Sequence, residues 1–166
     1  MLKKWYTPNL TFDTNTVIAK DHNPDVDKLF EMDGKEEVKI FKTDVVDTEL
    51  SKKSQEKSAP LHEDLGVARI GHSRIGHAVI GSESDASESE KMMAILFPET
   101  KGEPPKKQKV RDVMHLQTHK KHNRDIFVTN DGDFITKKEE LKSEFGIIIM
   151  TPQECVQHII EKNKLK

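Results

Sequence analysis

The chain has 166 residues, 34% of them hydrophobic and 34% charged, which is long enough for one domain with a real core and polar enough for a well-solvated surface. Its formal net charge of −2 advertises no polyanion partner, and its lone cysteine, Cys155, excludes an intrachain disulfide and a cysteine-based zinc site within one chain. No apolar run approaches a membrane span and Met1–Tyr6 (M-L-K-K-W-Y) lacks a signal-peptide core, so a cytoplasmic protein in a reducing compartment, with no membrane contact, is expected.

Charge is unevenly spread. Lys and Arg crowd Lys101–Lys121 and the C-terminus, while Asp and Glu crowd Glu83–Glu90. In chain order, Leu10–Asp13 reads as a buried strand. Asn23-Pro24 supplies an N-cap and a proline at the first helical position, and Val26, Leu29 and Phe30 follow at helical spacing up to Gly34. Val38–Lys42 (V-K-I-F-K) reads as the second strand. Thr43 or Asp44 is placed to cap a helix through Val45, Val46, Glu49 and Leu50. From about Ser58 to Ala86 the periodicity fades. This stretch holds an internal repeat, R-I-G-H, at Arg69–His72 and Arg74–His77.

Ser87-x-x-Glu90 has capping-box spacing and predicts a short helix with Met92, Met93, Ile95 and Leu96 on its buried side, ended by Pro98. Lys101–Lys109 is a Lys- and Pro-rich connection, read as a solvated linker. Val110, Val113, Met114 and Gln117 mark a helix that carries Asp112. Ile126–Thr129 is the third clear strand, Lys137–Glu144 a helix, and Gly146–Met150 a further buried strand. Thr151-Pro152-Gln153-Glu154 is a capping box that opens the terminal helix with Val156, Ile159 and Ile160. The alternation predicts an α/β fold, a three-layer α/β/α sandwich around a mostly parallel sheet. It is expected as a single domain over 1–166 with an extended connection at about 58–106.

Acids stand where apolar strands end: Asp13 in N-L-T-F-D-T-N-T, and Asp131 and Asp133 in D-I-F-V-T-N-D-G-D-F. Ligands of open α/β sheets bind outside the carboxyl ends of the strands, and acids meeting there make an oxygen-rich pocket that suits Mg²⁺ or Mn²⁺. The order Asp13, Glu49, Asp112, Asp131 carries a resemblance. It rests on F-D-T-N-T-V-I at Phe12–Ile18, T-D-V-V-D-T-E-L at Thr43–Leu50, R-D-V at Arg111–Val113, D-I-F-V-T-N-D-G-D-F at Asp125–Phe134 and G-I-I-I-M-T-P-Q-E at Gly146–Glu154. With these segments the chain resembles the PIN-domain nucleases, VapC-type toxins among them. The resemblance implies an α/β/α sandwich, a Mg²⁺- or Mn²⁺-dependent acid cluster and cleavage of RNA. It also implies, for many small members, an antitoxin protein as partner and a homodimer. The region from Ser58 to Gly102 is longer than in compact members of that family.

On this resemblance Asp13, Glu49, Asp112 and Asp131 are the candidate catalytic residues. Asp13 and Asp131 are expected as central metal ligands and Asp112 as a direct or water-mediated one. Glu49 orients a water or holds a second ion, and Asp133 helps or replaces Asp131. Asn15 and Thr129 are expected to supply hydrogen bonds behind the ligands. Paired cations make a water nucleophilic and neutralise a leaving oxygen. Carboxylates held so close repel one another until the ions fill the site.

Plainer readings stand beside these. Asp13 alone reads as a helix cap, Asp131-Gly132 as a turn and Glu49 as a solvated helix acid. His115, His119 and His122 lie near one helix face. No Glu follows His115 as in the zinc-protease motif, so surface histidines are expected, with His115 a candidate nucleic-acid contact. Arg69 and Arg74 are candidate phosphate contacts, against an irregular connector in which Ile70 and Ile75 pack down. Trp5 and Tyr6 are expected to cover the core rather than stack a base. Cys155 reads as a small buried side chain. A phosphatase of the haloacid dehalogenase type requires D-x-D-x-T, where Asp13–Thr16 reads D-T-N-T. A response-regulator receiver requires paired acids and a late Lys that find no convincing set. The alternative of another class is a non-catalytic PIN-like module that binds RNA or a protein.

Overall fold

The computed structural model describes residues 5–69, 72–73, 76, 78–100, 102 and 104–165. Its strands are β1 (Asn9–Phe12), β2 (Lys39–Thr43), β3 (His62–Asp64), β4 (Gly66–Val67), β5 (Ala78–Val79), β6 (Ile126–Val128) and β7 (Ile149–Met150). Its helices are α1 (Thr14–Ile18), α2 (Pro24–Gly34), α3 (Val46–Glu49), α4 (Gln55–Ser58), α5 (Glu83–Leu96), α6 (Lys107–Lys121), α7 (Gly132–Thr136), α8 (Lys138–Phe145) and α9 (Pro152–Lys164). The central sheet runs β3-β2-β1-β6-β7 with every pairing parallel, and β4 and β5 form a separate parallel pair.

Parallel strands need crossovers, and helices supply them on both faces. Leu10, Phe12, Ile40, Ile126 and Val128 join Val26, Leu29 and Met32 of α2 and Cys155 and Ile159 of α9 in one core. Phe127 and Ile149 belong to a second core with Met92 and Leu96 of α5, Val113 and Leu116 of α6, and Leu141 of α8. Successive side chains of a strand point to opposite faces, so one sheet feeds both clusters. The result is the α/β/α sandwich that the pattern predicts. Among the described residues, no helix is long and apolar enough to cross a membrane.

Local signals place several helix ends where expected. Asn23 Oδ1 accepts from the N–H groups of Asp25 and Val26, and Pro24 opens α2. Thr151 and Glu154 form a reciprocal capping box at α9. Gly146 stops α8 at φ 70°, a left-handed conformation that suits glycine. Cys155 is fully buried, and burial pushes its thiol up to about 12.

Elsewhere the structure corrects the expectation. The capping box of α5 is Ser82 with Asp85, not Ser87 with Glu90, both of which lie inside the helix. Both pairs have the same spacing, and only Ser82 has the extended backbone of a cap, at φ −108° and ψ 172°. Neither Thr43 nor Asp44 caps α3. Thr43 Oγ1 lies 2.6 Å from His115 Nδ1, and Asp44 Oδ1 accepts from the Gly66 N–H at 3.1 Å. Among the described residues, the stretch from Ser58 to Ala86 holds three strands, each too short to show a period of two. Gly66 lets β4 approach α6 closely, since a Cβ there would stand 2.4 Å from Thr118 Oγ1. Asp131-Gly132 opens the short helix α7 rather than a simple turn. The final strand is confined to β7. Trp5 is 64% exposed and does not cover the core, although Tyr6 packs against it. Arg74, Ile70 and Ile75 lie outside the described residues.

The histidines expected at the surface are the clearest correction. His115 and His119 are each 2% exposed. Thr11 of β1 and Thr43 of β2 point toward α6 and meet the ring nitrogens of His119 and His115 at 2.7 and 2.6 Å. A buried polar ring persists where partners of this kind exist. His122 is half-buried, with Nε2 2.9 Å from the Leu65 carbonyl.

Candidate active site

Phe12 and Val128 are paired, so the carboxyl ends of β1 and β6 lie side by side. The next residues, Asp13 and Thr129, carry that neighbourhood into the site. Asp13 caps α1 and is 3% exposed. Its Oδ1 accepts from the Thr16 N–H at 2.8 Å and lies 2.6 Å from Thr16 Oγ1. Its Oδ2 accepts from the Thr129 hydroxyl at 2.5 Å. The same Thr129 oxygen accepts from the Asp131 N–H at 2.9 Å. Cap and candidate ligand are therefore one arrangement at Asp13, not rival readings.

Helix α6 crosses above this edge and contributes Arg111, Asp112 and His115, while α3 contributes Glu49. Together Asp13, Glu49, Asp112 and Asp131 line one pocket of about 320 Å³, with Thr14, Asn15, Gln108, Arg111 and His115 beside them. Four acids from four separate segments thus converge. Glu49 is no solvated helix acid: its side chain is 7% exposed. Its Oε2 accepts from the Thr14 hydroxyl and lies 3.1 Å from His115 Nε2, and its Oε1 stands 3.8 Å from Arg111 Nη1.

The electrostatics follow from this crowding. Burial pushes the Asp112 carboxyl up to about 6, and the charges of Asp131 and Glu49 add to that, against the Gln108 hydrogen bond and the His115 charge. Burial also raises Asp13, although Thr129, Thr16 and His115 oppose it. Glu49 goes the other way. Burial favours its neutral form, but the bonds and charge of His115, with Thr14 and Arg111, outweigh burial and hold it low. Burial works against the His115 cation, yet Glu49, Asp13 and Asp112 hold its pKa above the ordinary value. Both ring nitrogens of a protonated imidazole donate, which matches Glu49 on one side and Thr43 on the other.

Of the remaining candidates, Asn15 lines the pocket and Thr129 stands behind it. Asp133 is exposed and does not line it; its N–H donates to Asp131 Oδ1 at 2.9 Å. Arg69 does not line it either, and its guanidinium bonds the Ser89 hydroxyl. Sequence reasoning left Thr14, Thr16 and Arg111 without a role. The three-residue step from Asp13 to Thr16 is N-cap spacing and was a usable signal. Nothing local marks Thr14 or Arg111, whose partner Glu49 is remote in the chain.

A hard divalent cation matches the donor chemistry of the pocket. Four carboxyl groups face the two cationic side chains of Arg111 and His115, which leaves two negative charges when all are ionised. Asp13, Asp112 and Asp131 are the acids not already tied to a cationic partner in the pocket. Among the described residues, however, no group of three or more His, Cys, Asp or Glu side chains stands in ion-holding positions. The carboxylates would have to draw together around an ion.

Fold and site define a parallel α/β/α protein with an acidic pocket at the carboxyl edge of its sheet. In fold the chain is similar to a chain in the crystal structure of VapBC2 from Rickettsia felis bound to a DNA fragment from their promoter. The TM-score is 0.51 at 16% sequence identity, with 86% of this chain and 98% of that chain covered. No family model matches the sequence, and no curated protein matches it.

Proposed function

We propose that this protein is a PIN-domain endoribonuclease that hydrolyses RNA phosphodiester bonds in the acidic pocket, with Mg²⁺ or Mn²⁺ as cofactor. The observation that carries the reading is the convergence of Asp13, Glu49, Asp112 and Asp131 on that pocket. The fold shared with a VapBC2 chain supports the same family. An antitoxin protein as partner, a homodimer and a role as the toxin of a pair belong to the proposal on that basis, as does a cytoplasmic location.

Bound cations supply charge to activate a water and to neutralise the leaving oxygen. Asp13, Asp112 and Asp131 would hold them. Thr16 and Thr129 fix the Asp13 carboxylate, and Thr129 ties it to the Asp131 backbone. Glu49 is engaged by His115 and Arg111, so its role is to keep a cation pair at the pocket wall rather than to ligate. Asp133, outside the pocket lining, is left as a helper of Asp131 at most.

A second reading is a non-catalytic PIN-like module that binds RNA or a protein. The engagement of Glu49 and the lack of a preset ion cage among the described residues favour it. Purified protein incubated with labelled RNA and Mn²⁺, with and without EDTA, separates the two. Cleavage that EDTA stops and that Asp13→Asn abolishes is expected. Binding without cleavage leaves the module.

A further inference from the structure

The acidic pocket carries an apolar side chain at its mouth. Ile18 of α1 is 41% exposed and is the one apolar side chain among the described residues that line the cavity. Asn15, three residues before it, is exposed and lines the same cavity. Residues three apart on a helix are neighbours, with Cβ atoms about 5–6 Å apart. Thr14, Thr16 and Val17 are the buried residues of α1, so Asn15 and Ile18 form its outer face. The Asn15 amide has no hydrogen bond among the described residues, so it does not stand behind a ligand as Thr129 does.

This face is held in place from both ends. A helix of five residues does not persist by itself in water. At its start, Asp13 accepts from the Thr16 N–H at 2.8 Å. At its end, Lys57 of α4 donates to the carbonyls of Ile18 and Lys20 at 3.1 and 2.5 Å. The first anchor is itself a candidate ligand, which fixes Asn15 and Ile18 relative to the acids.

A metal ion and a phosphate are held by charge, and neither uses an apolar surface. An unstacked nucleobase of a single strand uses both kinds of group at this mouth. Its face packs on apolar surface, and its edge carries donors and acceptors. A side-chain amide also both donates and accepts, and adenine is the base it meets with two hydrogen bonds, through N6 and N7. We propose that Asn15 and Ile18 seat one unpaired base of the RNA strand, adenine in preference to the others, beside the phosphate at the acids. The proposal rests on the nuclease reading and names what that pocket selects: Ile18 packs against the base and Asn15 reads its edge.

The test is fluorescence anisotropy with four labelled RNA strands, U-U-U-U-N-U-U-U-U, in which N is A, C, G or U. Binding is measured in Ca²⁺, a hard cation that takes oxygen ligands, with the strand shown to be intact by electrophoresis. A parallel arm with Mn²⁺ follows cleavage. Asn15 and Ile18 are exposed, so their replacement leaves the core packing in place. Wild type is expected to bind the N = A strand about 10-fold more tightly than the N = U strand, the discrimination of one two-bonded amide–base pair. Asn15→Leu, which keeps the volume and loses the amide, should abolish that preference. Ile18→Ala should weaken all four strands by about 5-fold, the low end for one stacked base, and Ile18→Leu should restore them. Equal affinity of wild type for the four strands, a preference that survives Asn15→Leu, or unchanged binding by Ile18→Ala would each overturn the seat. Any of these beside Mn²⁺ cleavage that Asp13→Asn abolishes leaves the nuclease reading standing. The expected binding pattern with no cleavage in Mn²⁺ upholds the seat, and the nuclease reading is then what fails.

Discussion

The Thr129 hydroxyl donates to Asp13 Oδ2 at 2.5 Å and accepts from the Asp131 N–H at 2.9 Å. One side chain therefore joins the acid after β1 to the acid after β6. Thr129 is fully buried, so no water replaces it readily. Replacement by valine keeps the volume and removes both bonds. Thr129→Val is expected to lose about 1–3 kcal/mol of stability, the cost of buried groups left unpaired. Urea unfolding measures it, and a variant as stable as wild type would show the bridge to be idle.

Asp112 gives a pH-dependent prediction. Its folded pKa of about 6 lies above its ordinary value of 3.8. Between those values the folded state holds a proton that the unfolded state has lost, so stability falls as pH rises through the window. Asp112→Asn removes that loss. The variant is expected to match wild type near pH 4 and to exceed it by about 1–2 kcal/mol at pH 7, after a discount for solvent at the pocket mouth. It should also have no metal-dependent cleavage. Equal stability curves at both pH values would contradict the burial argument.

His119 has the opposite sign. Burial, with the Arg124 charge, pushes its pKa down to about 3 from 6.5. Above pH 6.5 the ring is neutral in both states. As pH falls toward 3 the unfolded chain takes up a proton that the folded one refuses, and stability is lost. His119→Gln cannot titrate and retains a group for the Thr11 hydroxyl. Its stability should therefore decline less than that of wild type between pH 6.5 and 4. Parallel declines would remove His119 as the cause.

Glu49 and His115 form the buried pair of the pocket, 3.1 Å apart. Glu49→Gln removes the charge that favours the imidazolium. His115 should then titrate at a lower pH than in wild type, read from its ring nitrogens by NMR. Stability near neutral pH should fall by about 2 kcal/mol, since one partner of a buried pair is left behind. An unmoved titration would mean that Asp13 and Asp112 hold the charge instead.

Short-range chemistry made much of the fold readable. Asn23-Pro24 and Thr151-x-x-Glu154 make their bonds within three residues, so their spelling suffices. The apolar runs at Leu10–Phe12 and Ile126–Val128 are buried on both faces and stand out in any context. The same spelling misleads where two segments satisfy one rule. Ser82 and Ser87 both have an acid three residues on, and only backbone conformation chose between them. Strands of two or three residues, such as β3 to β5, leave no period to detect.

The amino-acid order by itself determined the alternation of helices and strands and the placement of acids beyond strand ends, because each depends on neighbours a few positions away. Tertiary structure alone decided that Glu49 is tied to His115 and Arg111, that His115 and His119 lie inside, and that Asp133 stays out of the pocket. The reason is that burial and ion pairing are set by groups tens of residues apart, which meet only when α6 is laid across the sheet.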